Sequence, residues 1–177
     1  MPERNTSSIG SVTSDYEVKI SQEAILLARR SHRVAPEPLG DPLSGVVLVM
    51  EGSAEAASDR LIDALRRSLA AVKLDRAYVT WFSPHLLEEI LSLEPGVLVA
   101  VGSTAARSID LLNYPLAKTR FLETPEGSWF TWTEGALGLR LPALAPALDD
   151  AGAKRYFWRT FLTLRALDLS KKRGYRL

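Results

Sequence analysis

The chain has 177 residues, 46% of them hydrophobic, with a formal net charge of +1, a size and composition suited to one globular domain with an ordinary core. It contains no cysteine, which excludes disulfides, thiolate metal sites and iron-sulfur clusters, and with only the isolated His32 and His85 to add, no metal and no cofactor are expected. No apolar run approaches the roughly 20 residues that span a bilayer, and the polar stretch from Met1 to Asp15 lacks the apolar centre of a secretory signal, so a cytoplasmic protein with no membrane contact is expected.

Residues 1–16 are rich in Ser, Thr, Asn and Gly and cannot offset the entropy of being ordered alone. The segment Val18 to Arg33 has the makings of a short helix around Ala24–Ala28, and Pro36, Pro38, Gly40, Pro42 and Gly45 then break any regular element. Residues 1–45 therefore read as a flexible arm leading into a domain over 46–168, with a basic tail at 169–177. Val46 to Met50 is a continuous apolar run, as in a strand covered on both faces, and is predicted as the central strand. Leu61, Ile62, Leu65, Leu69 and Val72 recur at helical spacing and predict an amphipathic helix over 54–72. A second strand is predicted at 77–82, a helix opening on Pro84 at 84–93, a third strand at 97–101, and a helix at 103–112 with Ser103 as N-cap. Two short strands at 129–133 and 137–141 flank Glu134 and Gly135, and a last helix runs from about Asp150 to Leu167. This alternation predicts an α/β fold, a three-layer α/β/α sandwich with a mostly parallel central sheet.

The small net charge hides an asymmetry. From Lys154 to Leu177 eight Lys and Arg face one acid, Asp168, so this end carries +7 and, the whole chain being +1, the remainder carries −6. Such a distribution fits either an acidic or nucleic-acid partner or a solvated helix with a basic tail. Arg165, Lys171, Lys172 and Arg173 are the candidate nucleic-acid contacts.

Four segments, in order, resemble the uracil-DNA glycosylase superfamily over about residues 46–167. Met50-Glu-Gly-Ser-Ala54 falls on that family's first catalytic loop, without its Pro and second Gly. Leu61-Ile-Asp-Ala-Leu65 through Leu74-Asp-Arg-Ala-Tyr-Val-Thr80 is similar to its helix, turn and strand ending in Tyr-x-Thr. Pro95-Gly-Val-Leu-Val-Ala-Val-Gly-Ser-Thr-Ala-Ala106 is similar to its Pro-x-x-Val-x-x-Leu-Gly-x-x-Ala-Ala. Ala145-Pro-Ala-Leu148 followed by Lys154-Arg-Tyr-Phe-Trp158 resembles its His-Pro-Ser-x-Leu and Lys-Arg-x-x-Trp, with Ala145 standing where the family has His. A methyl group cannot donate the hydrogen bond that an imidazole offers the leaving base.

The resemblance makes Glu51 the vestigial candidate for a catalytic residue, a general base at the C-terminal end of a strand, where open α/β sheets bind ligands. Read without it, Glu51 is a surface acid near a helix start, favoured there by the helix dipole. Trp81 stands where many family members have Asn, and an indole has one donor and no acceptor with which to read a base edge. Phe82 has the chemistry to stack on an extruded base, although an aromatic after a buried strand is more often core or interface, and His85 reads as a helix-start surface residue. Most other aromatics are assigned to the core. Trp129 and Trp132 are reserved as exposed partner-binding candidates.

The stretch Ala145-Pro-Ala-Leu148 with Arg155-Tyr-Phe-Trp158 also resembles the psi subunit family of bacterial DNA polymerase III, a reduced glycosylase fold without catalytic residues. That resemblance implies a noncatalytic replication accessory factor whose arm binds a clamp-loader subunit, with Ile20, Ile25, Leu26, Leu27 and Arg30 as contacts. It further implies a second replisome subunit or single-stranded DNA-binding protein as partner of the globular part. The alternatives are a glycosylase-family repair enzyme using Glu51 and a DNA-binding repair cofactor using the basic end.

Overall fold

A computed structural model describes residues 37–52 and 57–167. The candidates Ile20, Ile25, Leu26, Leu27, Arg30, Lys171, Lys172 and Arg173 lie outside the described residues, as does the helix expected over 18–33.

Three strands, β1 (Val46–Met50), β2 (Tyr78–Trp81) and β3 (Val97–Val101), are buried along their whole length. β1 and β3 are short, wholly apolar runs rich in Val, and β2 (Tyr-Val-Thr-Trp) is buried with them, the pattern of strands sandwiched between helices. They pair in parallel, with β4 (Trp129–Thr133) antiparallel to β5 (Ala136–Leu141) at the far side, in the order β2-β1-β3-β5-β4. The middle strand is therefore β3, and β1, expected to be central, stands second. The chain reaches β3 on the opposite side of β1 from β2, a connection that composition cannot specify.

Helix α1 (Asp59–Ala71) begins five residues later than its apolar spacing suggests, because Ser58 caps it by accepting the Leu61 N–H at 3.2 Å. Its Leu61, Leu65 and Leu69 are buried against one sheet face together with Phe157 and Phe161 of α4 (Ala151–Phe161). The Asp150 side chain caps α4 at the Ala153 N–H. After Phe161 the helix tightens into a 3-10 turn, Leu162–Ala166. The other face is covered by α2 (Leu86–Leu93) and α3 (Ser103–Leu111), through Leu86, Ile90, Ala105, Ala106 and Ile109. Two apolar layers with a sheet between them make the three-layer α/β/α sandwich.

Residues 37–45, read from sequence as part of the arm, pack against the sheet. Leu39 forms an antiparallel bridge with Val79 through hydrogen bonds of 2.9 and 2.8 Å, the Asp41 N–H donates to the Arg76 carbonyl, and the Asp41 carboxylate pairs with Arg76. Gly40, at φ +85°, lies so close to the Ala77 backbone that a side chain would have no room. None of the helices among the described residues is long and apolar enough to cross a membrane.

Candidate functional site

The strand order reverses between β1 and β3, and at such a switch point the connections leave in opposite directions and open a crevice beyond the strand ends. Glu51 follows β1 there, and Gly102 to Thr104 follow β3. The Glu51 Oε1 accepts the Thr104 N–H at 2.7 Å, so the carboxylate closes the exposed amino end of α3 from outside the helix. Ser103, expected to be the N-cap, is instead the first helical residue. The cap position is Gly102, which has no side chain to offer and sits at φ 99°, ψ 156°. Its lack of a Cβ is a steric requirement, since one would fall inside the van der Waals envelope of the Glu51 carboxyl group. Glu51 and Gly102 are thus a fitted pair. The short cap supplied across the sheet replaces the serine cap that local sequence suggests.

Arg140, near the end of β5, extends the same rim. Its Nη2 donates to Ser103 Oγ at 3.2 Å and lies 3.7 Å from Glu126, whose other oxygen accepts the Tyr156 hydroxyl at 2.8 Å. That hydrogen bond holds the Tyr156 phenol above its ordinary range, with neighbouring Arg159 and Arg140 opposing the shift. Two buried donors at this end of the sheet, Arg140 Nε and Trp81 Nε1, have no hydrogen-bond partner. Trp81 itself is only 1% exposed. Ala145 is exposed on the 3-10 turn Ala145–Leu148. Phe82, 50% exposed, projects beyond β2, and His85 stands half-buried ahead of α2 with no side-chain cap bond.

Below the rim lies a cluster that the sequence reading missed. Glu89, on α2, is 2% exposed and accepts the Tyr78 hydroxyl at 2.7 Å and the Thr80 hydroxyl at 3.1 Å. Burial pushes its carboxyl above the usual carboxylate range, and the two hydroxyl bonds pull it part of the way back. Burial, then the charge of Glu89, pushes the Tyr78 phenol up as well. The signal was present in the spacing: Leu86, Ile90 and Leu93 mark the inner face of α2, and residue 89 falls on it. The cluster fastens α2 to β2 and is enclosed by the core, away from solvent.

The aromatic candidates require correction. Trp132, reserved as exposed, is 2% exposed and packs with Tyr114 at 4.5 Å and Phe121 at 6.2 Å between ring centroids. Trp129 is half-buried against the opposite apolar layer. Trp132 shares the inner face of β4 with Phe130, two residues before it, while Trp129 takes the other face, and Tyr114 and Phe121 close over the inner face. On α4 and the 3-10 turn after it, Phe157 and Phe161 are buried with Leu164 while Trp158 and Leu162 are half-buried, and Arg165 is exposed. Among the described residues no three His, Asp or Glu side chains are grouped so as to hold a metal ion.

No family model matches this chain, and no curated protein matches it.

Proposed function

We propose that the protein is a noncatalytic accessory subunit of the bacterial DNA replication machinery, similar to the psi subunit, linking the DNA polymerase III clamp loader to other replisome proteins. The observation that carries this reading is the engagement of Glu51. A general base needs its carboxylate directed at a water or substrate, whereas here it is bound to the Thr104 N–H and backed by Gly102. With Ala145 at the position of the family's imidazole, that position offers a departing base no hydrogen-bond donor. An α/β/α sandwich joined to an N-terminal segment that the sequence marks as an arm would raise the effective concentration of two partners by tethering them.

Co-purification tests the proposal. Full-length protein is expected to retain clamp-loader subunits, and a chain lacking residues 1–36 to lose them while its thermal transition is unchanged. Full retention without the arm would refute its docking role.

The alternative is a glycosylase-family repair enzyme or DNA-binding repair cofactor in the cytoplasm, supported by the orphan donors Trp81 Nε1 and Arg140 Nε near the rim. It requires that uracil-containing single strands be cleaved after alkali, that Glu51→Gln abolish the cleavage, and that a weak DNA contact through Arg165, Lys171, Lys172 and Arg173 fade steeply with salt.

A further inference from the structure

A groove of about 310 Å3 runs between α1 and α4 on the face of the sheet away from Trp132. That volume lies at the small end of the roughly 300–1,000 Å3 typical of ligand clefts. Its floor is apolar, made by Leu144, Ala147, Phe157 and the half-buried Trp158. Its banks are cationic: Arg60 and Arg67 on α1 and Lys154 on α4, with Asp63 the one acid among the lining residues. Arg60 is held by Asp149 and by the Leu148 carbonyl, which fixes its guanidinium at the lip, and Arg67 pairs with Asp63. Lys154 has no carboxylate partner among the described residues. Arg155 and Arg159 continue the positive charge along α4, and between its Ala151 and Phe161 there is no acid.

We infer that this groove docks a short acidic peptide segment of another protein, one apolar or aromatic side chain entering between Leu144 and Trp158 and flanking carboxylates meeting Lys154 and the lip arginines. Charge complementarity selects the occupant: an unpaired ammonium beside an apolar slot rewards a chain that carries both features within a few residues. A phosphate backbone would meet the cations and leave the slot empty. Two of the three cations are also already neutralised by Asp63 and Asp149, which weakens a purely electrostatic grip. Trp158 has the size and planarity of the aromatic anchors that dominate such contacts. The inference goes beyond the replication reading and stands apart from it, since the groove lies wholly within residues 60–158 and makes no use of the arm.

A phage-displayed random dodecapeptide library selected on the immobilised full-length protein tests it. Enriched clones are expected to combine Asp or Glu with one aliphatic or aromatic residue. A fluorescein-labelled synthetic copy of the leading clone should lose about tenfold in affinity on Lys154→Glu, and little on Arg107→Glu, which makes the same charge change on the exposed side of α3 behind the sheet. Lys154 is exposed, so the substitution leaves the core intact, and an unchanged thermal transition verifies this. Enrichment of no peptide, equal losses for the two variants, or displacement of the peptide by oligothymidine at lower concentration than by unlabelled peptide would each overturn the proposal. Failure of the clamp-loader co-purification would leave these outcomes unaffected, so the two readings fail separately.

Discussion

Replacing Gly102 by Ala isolates the fitted pair at the crevice. The new Cβ would lie closer than 3.0 Å to the Glu51 carboxyl group and must displace it from the Thr104 N–H. Losing a side-chain cap costs about 0.5–2 kcal/mol. Holding a non-glycine residue in the backbone region at φ 99°, ψ 156° costs about 1–3 kcal/mol more. Gly102→Ala should therefore destabilise by roughly 1.5–5 kcal/mol. Glu51→Ala alone removes only the cap, about 1 kcal/mol. Once Ala occupies position 102 the carboxylate is already displaced, so Glu51→Ala should add almost nothing, and the double variant should be no less stable than Gly102→Ala. Urea unfolding of the four proteins gives the coupling energy, expected at about 1 kcal/mol. That exceeds the roughly 0.3–0.5 kcal/mol within which independent sites add. Additive losses would refute the reasoning, because they would mean that Glu51 does not rest against Gly102.

Glu89 makes stability depend on pH. Its folded value lies above its unfolded one, so its contribution is fully present below the unfolded value of about 4.3 and is lost as pH rises through the folded value. Glu89→Gln, which keeps a neutral acceptor, should gain on the wild type between pH 4.5 and pH 8 in urea titrations, and parallel profiles would count against it. Tyr78→Phe removes one of the two hydroxyls bound to that carboxyl and should cost about 1.5–3 kcal/mol by the same measurement, the range for hydrogen bonds to charged groups. Gly138 stands opposite Phe130 across β4 and β5, where a Cβ would meet the ring; Gly138→Ala should destabilise by about 1–3 kcal/mol through overpacking, and a Phe130→Leu background should recover part of that loss.

The strands β1 and β3 are legible because an uninterrupted apolar run has few other uses, and both fall on the residues where pattern reading puts them. Helix ends were less legible, since a cap is decided by which acceptor reaches the free N–H groups. Ser58 does so locally, and that is readable; Glu51 does so from another strand, and nothing adjacent to Ser103 announces it. Trp132 illustrates a different failure. Alternation places Trp132 with Phe130 and opposite Trp129, but it does not say that Tyr114 and Phe121, from segments distant in the chain, cover that face. Glu89 was readable and overlooked: it occupies an inward position on a helix otherwise lined by Leu and Ile, and a carboxylate there needs hydrogen-bond donors. The groove between α1 and α4 joins residues nearly 90 positions apart, and no local pattern points to it.

The bridge between Leu39 and Val79 also governs how copies of this protein behave in a crowded solution. β2 is an outermost strand, and its unpaired backbone groups would otherwise act as a template for strand addition between molecules. Leu39 occupies the Val79 N–H and carbonyl, and the bonded pair of Asp41 and Arg76 screens the next rung with opposite charges. A chain trimmed to begin at Val46 would keep every layer of the sandwich and lose that shield, leaving it open to fibrous growth along β2.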